Sequence, residues 1–346
     1  MTRISEAGTR GVVYVSNADS REISVLALDS AGVLTPVESV PAGGTVMPMA
    51  IRPDRRFLYA GLRSEPFAVT TYAIDPVSGR LTAAATTPLP DNMAYLATDR
   101  TGRFLFSASY SGNQIAVNPI SGNGVVAAPP VAVLGTAPHA HSIVADPSNR
   151  QVFAAVLGGD HLLQYRFDAT SGRLTPHRPA AVGTELGAGP RHIVFHPSGR
   201  VAFVTNELNG TVGSYLFDPE TGTLTPVSSI SVLPENFSGS PWTSDVHITP
   251  DGRYLYVSER TSDTLVGFRV DGTPGALEPL GHTPTESQPR GFAIDPRGRF
   301  LVAAGQNSDA ITSYAIDHAT GALTALHRVP VGRNPNWVEI IDLPAA

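Results

Sequence analysis

The chain has 346 residues, 42% of them apolar, with no cysteine and a formal net charge of −6. That length and apolar share can bury a sizeable core, and the missing cysteines exclude disulfides, thiolate nucleophiles and thiolate metal sites. No Lys/Arg run stands out and the apolar stretches are short, so neither a nucleic-acid surface nor a bilayer span is expected.

The chain opens on MTRISEAGTR, which is polar and lacks the apolar segment of a signal peptide. Residues 1–10 are read as a flexible N-terminus in a cytoplasmic protein, and 11–343 as one domain. Val12–Asn17 is the first predicted strand. A phrase then recurs: RPDRRFLYAG, DRTGRFLFSAS, DPSNRQVFAAV, HPSGRVAFVTN, TPDGRYLYVSE and DPRGRFLVAAG. Its arginines are Arg56, Arg103, Arg150, Arg200, Arg253 and Arg299, at intervals of 47, 47, 50, 53 and 46. Seven such periods fill the chain. Around Arg200 the pattern gives a first strand at His192–His196, a second at Val201–Asn206, a third at Thr211–Asp218 and a fourth from Leu224. Phrases such as IDPVSGRLT and FDPETGTLT supply turn residues between third and fourth strands. No stretch sustains helical periodicity.

Four short strands per period of 40–50 residues mark a β-propeller. Val12–Asn17 has no first strand before it, and Trp337–Ile341 has no second strand after it. Together they complete one blade. The expectation is therefore an all-β, seven-bladed propeller with four antiparallel strands per blade. Its ring would be closed by pairing the N-terminal strand with the C-terminal one, which removes an open edge.

The first strand of a blade runs down the channel and the second runs back up, so residues before one and after the other share a mouth. Six residues before the turn Pro or its equivalent stand Met47, Ala94, His141, Arg191, Ser244, Arg290 and Asn336. Seven after the turn Arg stand Arg63, Tyr110, Leu157, Glu207, Arg260 and Gln306, with Ala18 at the equivalent place. His141, Arg191, Glu207, Arg260 and Arg290 thus meet at one rim. The longest interval adds LPENFSGSPWTSD at the same mouth, a wall or lid. Arginine forks suit carboxylate or phosphate oxygens, Glu207 suits a base for water, and His141 a donor to an oxyanion. Other residues have plainer readings. An exposed Glu beside an Arg is often a rim ion pair. His196, Asp146 and Asp295 fit turns, His247 an interior histidine, and Trp242 and Trp337 space-filling. Glu207, Asp245, His141 and His247 lack the short spacing of a metal site, and no metal is expected.

GAGPRHIVFHP at 187–197, NELN at 206–209, LPENFS at 233–238, DVHITPDGRYLY at 245–256, QPRGFAID at 288–295 and AAGQ at 303–306 follow in register. Together they resemble the propeller-type bacterial 6-phosphogluconolactonases. These sit in a wider lactonase group that includes a fungal carboxymuconate-cyclizing enzyme. The resemblance implies catalytic roles for His141 in HAHS, Arg191 in GPRH, Glu207 in NEL and Arg290 in QPRG. Arg260, Asn206, His192, Asp245, His247, Gln306 and Arg63 are the accompanying candidates for substrate binding. The segment 119–131, PISGNGVVAAPPV, is less typical and falls on a connection between third and fourth strands. The implied reaction is hydrolysis of 6-phospho-D-glucono-1,5-lactone, a small anionic sugar lactone, with no cofactor, by a monomer or weak homo-oligomer. No G-x-S-x-G elbow supplies a serine nucleophile. A lactonase for a non-phosphorylated sugar lactone, a muconate-type lactonizing cyclase and a non-catalytic propeller scaffold are the alternatives.

Overall fold

The recurring phrase forms the turn between the first and second strands of each blade. Its aspartates are backbone acceptors: Asp146 receives the amides of Ser148, Arg150 and Gln151, and Asp295 those of Arg299 and Phe300. Arg253 reaches from its turn to the His318 carbonyl of the next blade. These contacts account for the repeat without any chemical role.

The computed structural model describes residues 11–270 and 272–343, so the expected flexible segment 1–10 lies outside them. Seven sheets of four antiparallel strands form a ring. Among the described residues the helical content is one short 3-10 turn, Leu157–Gly159, and no helix is long and apolar enough to cross a membrane. Second strands such as Gln151–Val156, Val201–Asn206 and Phe300–Gly305 are buried throughout, which suits their β-branched, aromatic and small residues. Around Arg200 the first strand is Pro190–Phe195, two residues earlier than expected at its start, and the fourth is Thr223–Ser231.

Neighbouring blades are joined by a repeated contact. Tyr14 Oη donates to the Gly79 carbonyl, Tyr59 to that of Gly124, and Tyr256 to that of Gly321. Each pairs a second-strand tyrosine with the next blade's turn between third and fourth strands. Gly124 belongs to the atypical 119–131 segment, which therefore lies on the outer part of its blade, against the neighbour.

The seam closes as expected. Pro335–Asp342 is the innermost strand of a sheet whose other three strands come from the N-terminal end. Gly11 pairs with Asp342 and Val15 with Val338.

Every first strand also carries a β-bulge, with one more residue than the facing second strand. Ala140 pairs with Val156 and Ser142 with Ala155, so His141 is extra; Arg290 is extra between Pro289 and Gly291. The same occurs between Val46 and Met49, Met93 and Tyr95, Pro190 and Ile193, Thr243 and Val246, and Pro335 and Trp337. A bulge re-aims a side chain out of the ladder's alternation. The bulged stretches hold Met47, Ala94, His141, Arg191, Ser244, Arg290 and Asn336, the set that the repeat comparison aligned.

Removing residues 335–346 takes the innermost strand from the closing blade. The truncated ring is expected to melt well below the full chain in a thermal scan, and equal melting would contradict closure by that strand. A Cβ added to Gly291 would lie 2.5 Å from the Asn336 carbonyl oxygen and 3.1 Å from Trp337 Cα. Backbone cannot yield as a side chain does, so Gly291→Ala is expected to cost about 1–3 kcal/mol in denaturant unfolding.

Candidate active site

Arg191 projects from the bulge of Pro190–Phe195 and is 1% exposed. Glu207 follows directly on Val201–Asn206, and its own amide donates to the Gly189 carbonyl at 2.7 Å. Arg191 Nε donates to Glu207 Oε2 at 2.7 Å. Arg260, which follows Tyr254–Glu259 on the next blade, donates from Nη2 to the same oxygen at 2.9 Å. Both arginines load one oxygen, and Glu207 Oε1 accepts no hydrogen bond among the described residues. Burial pushes the Glu207 pKa up, but Arg191, Arg260 and Arg290 outweigh it and hold the carboxyl below its ordinary value. Glu207 is therefore ionised at neutral pH.

Arg260 is itself braced. Its Nε donates to the Trp242 carbonyl at 3.1 Å, and its guanidinium carbon lies 3.8 Å from the Trp242 ring centroid. Such a stack is a cation–π contact. Trp242 lies in the long segment LPENFSGSPWTSD. That segment is tied to the rim by Trp242 N donating to Glu259 Oε1 and by Thr261 Oγ1 donating to the Ser240 carbonyl. Its stretch 240–242 is thereby pinned to the mouth, and Trp242 does more than fill space.

Arg290 differs from the other two. Its guanidinium makes no hydrogen bond or ion pair among the described residues. Burial, then the charges of Arg191, Arg260 and Arg63, all disfavour its protonated form. Since an arginine side chain stays charged in proteins, the strain is electrostatic and an anion would relieve it. Arg63 donates from Nε to Asn92 Oδ1 and from Nη1 to Met47 Sδ. The mouth thus holds four guanidiniums around the carboxylate that Arg191 and Arg260 share.

His141 is buried, with Nδ1 lacking a hydrogen-bond partner among the described residues. Burial, then Arg191, His192, Arg290 and Arg260, depress its basicity far below the usual histidine value. It is neutral and can give one hydrogen bond without charge. Tyr110 stands edge-on to it at 5.9 Å and stacks on His139 at 4.1 Å. Tyr110 occupies the Glu207-equivalent place on its own blade. That equivalence was its signal in the sequence, although an aromatic at that position reads as scaffold.

The remaining candidates separate from this group. Asn206 Nδ2 donates to Thr211 Oγ1, and its side chain lies with Thr184, Gly213 and Tyr215 beside the blade's outer strands. Gln306 donates to Asn334 Oδ1 on the rim. His192, Asp245 and His247 lie deeper, beneath the arginines. They line, with Tyr95, Trp337 and Glu339, a cavity of about 260 Å³ in the lower channel. Tyr95 and Trp337 both pack against the His192 ring, at 5.0 and 5.8 Å. This aromatic layer floors the mouth. Below it, burial raises the Glu339 carboxyl to about 7 although Trp337 Nε1 donates to it. His247, with its side chain 37% exposed, donates to Asp245. No group of three His, Asp or Glu side chains among the described residues is arranged to hold a metal ion.

A buried, arginine-rich cup with an ionised carboxylate at Glu207 and a neutral histidine can bind an anion and move a proton to or from a neighbouring water. Comparisons with known proteins agree with that chemistry. The family described as "Lactonase, 7-bladed beta-propeller" matches residues 12–340. The 6-phosphogluconolactonase of Pectobacterium carotovorum is 45% identical over 332 residues, 96% of this chain and 99% of that one. That of Yersinia pestis (strain Pestoides F) is 46% identical over 328 residues, 95% and 97% of the two. Among solved structures, the periplasmic gluconolactonase PpgL of Pseudomonas aeruginosa superposes with a TM-score of 0.89 at 30% identity, covering 97% of this chain and 100% of that one. The chain belongs to the lactonase family of seven-bladed β-propellers.

Proposed function

We propose that this lactonase hydrolyses 6-phospho-D-glucono-1,5-lactone to 6-phosphogluconate. The observation that carries the reading is the unpaired Arg290 guanidinium among three further arginines. A neutral sugar lactone leaves that field unrelieved; a phosphorylated one neutralises it. The curated relatives named 6-phosphogluconolactonase, similar along nearly the whole chain, support the same substrate. A cytoplasmic location goes with a phosphorylated sugar, whose charge keeps it from crossing a bilayer.

In this reading Arg290, with Arg63 and Arg260, receives the phosphate. The lactone carbonyl carbon lies near Glu207, and a water sits between them. Glu207 Oε1, free of protein partners, takes a proton as the water oxygen adds to the carbonyl carbon. Negative charge then builds on the carbonyl oxygen, where Arg191 and the His141 N–H stabilise it. Collapse breaks the ring C–O bond, and the proton held by Glu207 passes to the departing ring oxygen, which becomes the C5 hydroxyl. The arginines lower the basicity of Glu207, which slows proton uptake. Phosphate bound among them offsets their field and returns part of that basicity, so charged substrate and active base are coupled.

The substrate reading is tested by turnover of gluconolactone against its 6-phosphate, with spontaneous hydrolysis subtracted. The phosphorylated lactone is expected to be strongly preferred; equal turnover would move the assignment to neutral lactones. Arg290→Ala is expected to raise KM for the phosphorylated lactone roughly tenfold to several hundredfold. It should change KM for the neutral lactone far less, and parallel changes would remove Arg290 from phosphate binding.

Glu207→Gln is expected to lower kcat by roughly a hundredfold to ten-thousandfold. Because Glu207 also neutralises two buried arginines, the variant should melt below wild type, and added inorganic phosphate should recover part of that loss. Near-wild-type kcat would exclude Glu207 as the base. In the wild type, Glu207 acts as a base only when ionised. With its pKa held down, activity is present above that depressed value and lost as pH falls through it. Once the titration of the substrate's own phosphate, at about 6, is divided out, the kcat/KM profile is therefore expected to stay level from pH 7 to about 5, and an acid limb that remains at about 6.5 would assign the base to another group.

A further inference from the structure

Arg191 must hold a fixed place if it is to orient Glu207 and meet an oxyanion, and Glu207 fixes only its Nε. Its other anchor is His192, the next residue of the same bulge. Arg191 Nη1 donates to His192 Nε2 at 3.1 Å. An imidazole nitrogen that accepts must carry a lone pair, so the proton of a neutral His192 sits on Nδ1. That nitrogen faces Asp245 Oδ1 at 2.7 Å. Asp245 is held in turn: Oδ1 accepts the Val246 amide, and Oδ2 accepts the Phe292 amide and His247 Nε2. The anchor thus runs from Arg191 to the blades of Thr243–Ile248 and Pro289–Ile294.

We propose that His192 is a positioning residue for the hydrolysis. As the Nδ1-protonated tautomer, oriented by Asp245, it clamps Arg191 against Glu207 and leaves Arg191 Nη2 for the substrate. The proposal rests on the reaction assigned to the mouth. It replaces the expected substrate contacts of His192 and Asp245 with roles one layer below. Arg191 Nη2 finds no acceptor among the described residues, which leaves it available to a ligand. The alternative tautomer would set His192 Nε2–H against the Arg191 Nη1–H and leave Nδ1 without a proton for Asp245. Burial, then Arg191, push the His192 pKa down to about 4 against the opposing pull of Asp245, so the ring is neutral at working pH. Tyr95, His141 and Trp337 pack around the ring. His192 therefore also contributes volume, and the test must separate that from the clamp.

His192→Phe keeps a ring for that packing and removes both nitrogens. His192→Gln keeps a donor and an acceptor. The Phe variant is expected to lose roughly ten- to a hundredfold in kcat through misplacement of Arg191, with KM for the phosphorylated lactone held within about threefold. The Gln variant should recover most of the lost kcat. Wild-type kcat in the Phe variant, or equal losses in both, would overturn the clamp. Nitrogen-15 NMR of imidazole-labelled wild-type protein reads the tautomer without any assay and does not depend on the variants folding. Protonated Nδ1 and bare Nε2 at His192 are expected, and a proton on Nε2 would overturn the proposal. Should the wild type fail to hydrolyse the phosphorylated lactone, the substrate reading falls; the tautomer, and the same variant series on whichever lactone is turned over, still decide the clamp.

Discussion

One extra residue in the innermost strand of each blade is the constraint from which the site follows. A regular antiparallel ladder commits alternate side chains to alternate faces, and in a packed ring both faces of that strand are largely claimed by neighbours. The bulge releases one side chain per blade at the same height of the channel. Met47, Ala94, Ser244 and Asn336 leave that place chemically quiet, whereas His141, Arg191 and Arg290 use it. Glu207, Arg260, Arg63 and Tyr110 enter from the complementary place, just after the last residue of a second strand, where the ladder stops. Chemistry can therefore vary at these positions while the second strands, buried almost throughout, keep the core.

The electrostatic character of the cup comes from imbalance. Glu207 neutralises part of the field of Arg191 and Arg260 by a shared oxygen, but among the described residues Arg290 forms no ion pair, feeling Glu207 only at a distance, and Arg63 meets an amide oxygen and a thioether. Lysine would be less suited to this crowding, since an ammonium is more strongly hydrated and loses its proton readily when buried. Guanidinium stays charged and stacks, as Arg260 does on Trp242. The unrelieved repulsion favours a ligand that brings negative charge, so selectivity and catalysis draw on the same residues.

The fold was legible because its signal is periodic. The turn phrase recurs every 46–53 residues with the same backbone acceptors, and the unmatched end strands identify the closing blade. His141, Arg191, Glu207, Arg260 and Arg290 were legible as departures from that period. The rest depended on information a repeat does not carry. The register shift is invisible in sequence, so the direction of each side chain near it was open. Asn206, adjacent to Glu207 in the chain, turns toward the outer strands because it is still inside the ladder. His192, Asp245 and His247 read as possible ligand contacts, yet the bulge lowers them beneath the arginines and hydrogen-bonds them to one another. Trp242 gave only composition, since its stack on Arg260 depends on the path of a loop without a repeat partner.

The residue after each bulged position explains why the mouth is a cup. Tyr95 follows Ala94, His192 follows Arg191, and Trp337 follows Asn336; their rings pack together across the channel. Gly291 follows Arg290, and there the Asn336–Trp337 backbone comes too close to admit a side chain. On the blades of Tyr95, His192 and Trp337 the same geometric device thus points one residue up into the mouth and turns the next inward to floor it. A floored cup has less water beneath its charges than an open tunnel, and charge–charge interactions strengthen as water is excluded. The layer that looks like filling in the lower channel therefore strengthens the interactions of the four arginines and Glu207 in the upper one.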